Sequence, residues 1–145
     1  METNYFMVEE VAKKEEKNMF SGDIFDAVMS GNLQAVRDCI SQGANVNARD
    51  KDGCTPLRWS SFKGHKEIAE LLISQGADVN AKSASFITSL HWAIFGDHKE
   101  MVELLISKGA DVNAGDIHGD TPLRYAICLG HKEVAELLIA LGARK

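Results

Sequence analysis

Three histidines, His65, His98 and His131, lie 33 positions apart, and three glutamates, Glu67, Glu100 and Glu133, keep the same step. Imidazole and carboxylate ligate metals and move protons, so this double series is the first place to look for chemistry. Its regularity argues against such a role. Helix pairs stacked side by side stand roughly 8–10 Å apart, whereas zinc requires each ligand nitrogen within about 2.0–2.1 Å. The histidines therefore read as a structural column. The glutamates read as a solvated helix face, not as the close carboxylate pair that acid–base hydrolysis needs. His118 stands alone, Cys39, Cys54 and Cys128 lack C-x-x-C spacing, and no Gly-rich phosphate loop occurs. These residues predict no catalytic group, no metal site and no cofactor.

The elements that would position such residues are set by the same period. Gly43, Gly76, Gly109 and Gly142, each followed by Ala, are 33 apart, as are Leu57, Leu90 and Leu123, and Asn47, Asn80 and Asn113. A step shared by several residue types marks a stack of repeated units, each burying its apolar face against its neighbours. Within the unit from Asp50 to Lys82, Asp50 and Gly53 supply a hairpin-like turn, and Thr55 is placed to cap a helix that Pro56 can open without a backbone N–H. Leu57 and Ser60 face inward at helical spacing. Gly64-His65 marks a reversal. Ile68, Ala69, Leu71, Leu72 and Ile73 then form an apolar stripe opposite Lys66, Glu67 and Glu70, and Gly76 ends this second helix.

The stretches DGCTPLRWSSFKGHKEIAELLISQGADVNAK and HGDTPLRYAICLGHKEVAELLIALGARK resemble ankyrin repeats, with the T-P-L motif, the Gly-His turn and the Leu-Leu helix leading to G-A-D-V-N-A. The resemblance covers roughly residues 21–145 and implies an all-α repeat solenoid. Its expected form is an ankyrin-type stack of about four helix-turn-helix units, near 21–49, 50–82, 83–115 and 116–145, joined by short hairpin-like loops. It further implies a non-catalytic scaffold that binds a protein or peptide along the hairpin tips and the exposed side of the first helices. Where the family usually has His in T-P-L-H, Arg58 and Arg124 stand in two units and only His91 keeps it, which puts the family's hydrogen bond there in doubt. Asn80 and Asn113, each in L-x5-D-V-N-A, resemble the ankyrin context of an asparaginyl hydroxylase of animal cells. By its own chemistry, an Asn in such a loop satisfies nearby backbone groups.

Composition suits one soluble domain: 145 residues, 45% of them hydrophobic, allow a continuous core. A formal net charge of -5 argues against nucleic-acid binding, and no apolar run is long enough to span a bilayer. Three scattered cysteines make no disulfide framework and point to a reducing compartment, the cytoplasm by default and the nucleus as an alternative. Residues 1–20 lie outside the register. They read as a leader, either flexible or a short helix sharing Tyr5, Val8, Val11 and Ala12 on one face. The first unit lacks T-P-L and carries Arg37 and Asp38 where the second has Glu70 and Leu71, as a terminal unit facing water should.

The third unit departs most: Ser83, Phe86, Ser89 and Asp97 replace the turn Asp, the turn Gly, the helix-opening Pro and the Gly of the reversal. Phe at a position that favours positive φ is strained, so this tip is expected to adopt another conformation. Phe86 and Ile87 also place apolar side chains on a turn, as an interface anchor requires. The expected partner-binding set combines them with Arg58, Trp59 and Phe62 of the second unit, Trp92 and Phe95 of the third, and Ile117, Arg124, Tyr125 and Leu129 of the fourth. Arg58 and Arg124 are the expected rim cations, and Trp59, Trp92 and Tyr125 form a column that also suits core packing. Ala140 and Leu141 stand where earlier units have Ser74-Gln75 and Ser107-Lys108, so the last unit carries an apolar edge suited to weak self-association.

Overall fold

Each unit opens where side-chain chemistry can start a helix. In the computed structural model, which describes residues 23–144, Asp23 caps α1 (Ile24–Met29) and Asn32 caps α2 (Leu33–Ser41). Thr55, Thr88 and Thr121 cap α3 (Pro56–Lys63), α5 (Ser89–Phe95) and α7 (Pro122–Leu129), each hydroxyl accepting from the backbone N–H three residues on. The second helices are α4 (Lys66–Ser74), α6 (Lys99–Ser107) and α8 (Lys132–Ala140). They begin at His65, His98 and His131 with no side-chain cap, and each ends ahead of a glycine at φ 96 to 98°. The described residues thus form four helix pairs and no strand, an all-α ankyrin-type stack. The expected leader at 1–20 lies outside the described residues.

The first helices α1, α3, α5 and α7 pack most closely from unit to unit, and the second helices contact one another less. Leu57, Leu90 and Leu123 fill the seam between first helices, while Leu72, Leu105 and Leu138 anchor the second helices beneath them, all essentially inaccessible. Burying each such leucine contributes about 1.5–3 kcal/mol. Polar staples join the units as well. Asn47 Nδ2 donates to the Gly76 carbonyl at 3.0 Å and its Oδ1 accepts from the Asp78 amide at 2.8 Å. Asn80 repeats both bonds with Gly109 and Asp111, and Asn113 with Gly142 and Arg144.

The Gly-His column has a steric origin. A Cβ on Gly64 would meet the His98 ring at 2.6 Å, and one on Gly31 the His65 ring at 2.8 Å, so each histidine lies over the reversal of the preceding unit. His98 Nε2 donates to the Phe62 carbonyl at 2.8 Å. In the third unit Asp97 takes the left-handed conformation of the reversal, and its carboxylate lies 3.6 Å from His131 Nδ1.

Candidate functional site

The third hairpin tip overturns the expectation of a different turn. Phe86 adopts φ 59°, the left-handed region that Gly53 and Gly119 occupy at 77° and 80°. The backbone bonds are also the same. Ser83 N–H donates to the Ile87 carbonyl at 3.0 Å and Phe86 N–H to the Ser83 carbonyl at 2.9 Å, matching Asp50/Cys54 with Gly53/Asp50, and Asp116/Asp120 with Gly119/Asp116. The tip is tied to its neighbour through Ile117 N–H, which donates to the Ser85 carbonyl at 3.0 Å. Stacked between two regular tips, the chain keeps the common turn and Phe86 takes the strain, a cost of about 1–2 kcal/mol for a left-handed residue with a Cβ. Phe86 is half exposed, with Lys82 Nζ 5.8 Å from its ring centre.

What the tip lacks is the carboxylate. Asp50 accepts hydrogen bonds from the Asp52 and Cys54 amides at 2.9 and 3.0 Å and from Trp59 Nε1 at 3.1 Å. Asp116 accepts from the His118 and Asp120 amides, each at 2.9 Å, and from the Tyr125 hydroxyl at 2.5 Å. Burial raises the Asp116 carboxyl pKa, but these bonds outweigh burial and hold it below the ordinary range, while burial and the Asp116 contact push the Tyr125 phenol up. Ser83 replaces neither set of bonds, and Trp92 Nε1 is buried without a partner.

Along the first helices the structure gathers a run of aromatic rings. Phe62 meets Trp59 and Trp92 edge-on at centroid distances of 6.5 and 5.1 Å, and Phe95 at 6.0 Å; Trp92 and Phe95 are 5.5 Å apart. Beside this run Ile87, His91, Trp92, Phe95 and Tyr125 line a cleft of about 150 Å³. Trp59, Trp92 and Tyr125 are only partly buried, so the column is a half-open wall as well as packing. Phe95, Ile117 and Leu129 are exposed; the latter two stand outside both the ring run and the cleft lining.

The two expected rim cations are not free. The Arg58 guanidinium stacks 4.1 Å from the Trp92 ring centre, and its Nη1 is buried without a hydrogen-bond partner; desolvation lowers its pKa although Asp50 and Asp52 oppose that. Arg124 Nε pairs with Asp120 at 3.0 Å. His91, expected only as a turn-base residue, also lines the cleft. Its Nδ1 accepts from the Thr88 amide at 3.2 Å, which leaves the proton on Nε2 to bond the Asp120 carbonyl at 3.1 Å. Tyr125 packs on its ring at 4.6 Å. Its place directly before Trp92 and four before Phe95 was the available signal. Ile127 and Ile139 were also missed. They repeat Ile94 and Ile106 at the 33-residue step, yet both are more than half exposed because no further described unit covers them.

A family model described as "Ankyrin repeats (many copies)" matches residues 24–73, and one described as "Ankyrin repeats (3 copies)" matches residues 84–145. The chain belongs to the ankyrin repeat family. Ankyrin repeats are generally protein–protein interaction modules and typically non-catalytic. Osteoclast-stimulating factor 1 of Rattus norvegicus is 36% identical over 58 residues, 40% of this chain and 27% of that protein. The Monopterus albus protein of that name is 40% identical over 47 residues, 32% and 22% of the two chains. Acyl-CoA-binding domain-containing protein 1 of Arabidopsis thaliana is 38% identical over 63 residues, 43% of this ankyrin chain and 19% of that one. The chain thus matches about a quarter or less of the length of these relatives. No described helix is long and apolar enough to cross a membrane.

Proposed function

We propose that this ankyrin chain is a non-enzymatic binding scaffold, with four units over residues 21–145, that grips a protein or peptide on its third unit. The observation that carries the reading is the apolar cleft of about 150 Å³ beside the Phe62–Trp92–Phe95 rings, with half-exposed Phe86 on the tip above. Exposed aromatic groups around a concavity are the usual anchors of an interface. A cleft of this size suits one apolar side chain of the partner, and Arg58, committed to stacking on Trp92, contributes shape more than charge. The acidic balance of the chain supports a protein partner over nucleic acid. Three unpaired cysteines support a reducing compartment, the cytoplasm or the nucleus.

The test is affinity capture with mass spectrometry, comparing the wild type with the double variant Phe86→Ala, Phe95→Ala. Truncating anchors costs about 2 kcal/mol or more each, so the variant should lose its captured partner while its melting temperature stays within about 2 °C. Equal capture by both proteins, or a clearly lower melting temperature, rejects the site. A second reading, self-association, is favoured by the exposure of Ile127, Ile139 and Leu141 on the face of the fourth unit.

A further inference from the structure

The third tip differs from its two neighbours in one chemical respect. At the other two tips one carboxylate joins two turn amides to an aromatic donor on the following helix. At the third, the turn has the same backbone bonds, Trp92 stands at the position of the aromatic donor, and the residue at the acceptor position is Ser83, whose hydroxyl makes none of these side-chain bonds. Two buried donors, Trp92 Nε1 and Arg58 Nη1, go unpartnered on neighbouring helices whose side chains stack at 4.1 Å. Arg49 adds a cation at the same place, its Nη1 donating to the Gly53 carbonyl at 2.9 Å and to the Lys82 carbonyl, next to Ser83, at 2.7 Å. A hydroxyl where an anion belongs, among unpartnered donors, fits a group that acquires its anion later.

We propose that Ser83 is a phosphorylation site and that its phosphate completes the third tip as Asp50 and Asp116 complete theirs. In the transfer, Ser83 Oγ attacks the γ-phosphorus of a nucleoside triphosphate bound to a serine kinase. The bond to the β-phosphate oxygen breaks, the hydroxyl proton passes to the kinase's base, and nucleoside diphosphate leaves. The phosphate brings a charge of about −1.5 to −2 and three acceptor oxygens. These accept from Trp92 Nε1–H and from the Ser85 and Ile87 amides, the positions matching Asp52 and Cys54, with Arg58 and Arg49 nearby. The bonds absent before modification also make this tip the easiest of the three to open, which presents Ser83 to a kinase. The proposal shares Trp92 and Arg58 with the binding site proposed above but requires no partner bound there.

The test uses the full chain with phosphoserine installed at position 83 during translation. The Trp92 indole N–H resonance, identified by its loss in Trp92→Phe, should move downfield. The melting temperature should rise by about 4 °C or more over the unmodified chain, with Ser83→Asp, which restores the carboxylate of the other tips, giving a comparable rise and Ser83→Ala none. The rise should shrink by half or more when phosphoserine is combined with Trp92→Phe. An unmoved indole, or a melting temperature that stays level or falls, overturns the completed tip. A second arm incubates the unmodified chain with labelled ATP and a serine-kinase fraction from the source cells. Label lost in Ser83→Ala and kept in Ser85→Ala supports the site, whereas label on Ser85, or none, overturns it.

Discussion

Phe86 shows how one residue can be held against its own preference. A phenylalanine alone avoids φ 59°, yet the tips on either side impose the turn. Phe86→Gly should therefore raise stability by about 1 kcal/mol in urea unfolding, because relief of left-handed strain outweighs the loss of a half-exposed ring. The same change removes the proposed anchor, so the glycine variant should be firmer and bind less. A glycine variant that is less stable would place the ring in the core. His91 sets a pH dependence. Burial in the first place, and the amide bonded to its Nδ1, disfavour its protonated form, so its folded pKa lies below the ordinary 6.5. Between those two values the unfolded chain binds more protons, hence stability rises with pH through the window and is lost as pH falls below about 6.5. Melting temperatures at pH 7.5 and 5.5 should show this loss. The loss should shrink in His91→Gln, with a remainder from His65, whose pKa desolvation also lowers. An equal loss in the variant would remove His91 from the explanation.

At the scale of the element, the Gly-His reversal is a joint between units as much as a helix stop. Gly64 and Gly130 have the same backbone, φ 74° and 78°, but only Gly64 has a histidine ring where its Cβ would go. Gly130→Ala should cost about 1 kcal/mol, the left-handed penalty alone. Gly64→Ala should cost about 3 kcal/mol, since the His98 ring must move and the bond to Phe62 is lost. Paired denaturation curves check this, and equal losses would show that the histidine contributes nothing to the joint. The ladder has the same logic at Asn47, Asn80 and Asn113, where one side chain closes two backbone groups of the next unit.

At the scale of the whole molecule, the outer face of the fourth unit exposes apolar side chains that earlier units cover. Ile94, on a helix that packs against α7, is fully buried, whereas Ile127, its counterpart one unit later, is 52% exposed and Ile139 is 55% exposed. Leu141→Gln should leave the melting temperature within about 1 °C and improve solubility, as surface changes usually do little to stability. If copies associate, light scattering should give a mass that grows with concentration in the wild type and stays monomeric in Ile139→Gln. A wild-type mass that never changes removes the self-association reading, and a dimer that survives in the triple variant Ile127→Gln, Ile139→Gln, Leu141→Gln moves the contact off this face.

Periodicity carried the architecture. Residues that recur every 33 positions, the leucines, the Gly-Ala pairs and the capping threonines, report local propensity and the need to bury one stripe, and both are properties of sequence. Neighbour-dependent features were not legible in that way. Arg58 reads as a free cation until Trp92 is seen beneath it. Ser83 reads as loop variation until the Asp50 and Asp116 bonds reveal what it fails to make. Phe86 was expected to change its turn, because propensity at one position was weighed without the tips that enclose it. The approach of adjacent units decided these three, since contacts across a stack depend on side chains a full repeat apart, where local sequence has no reach.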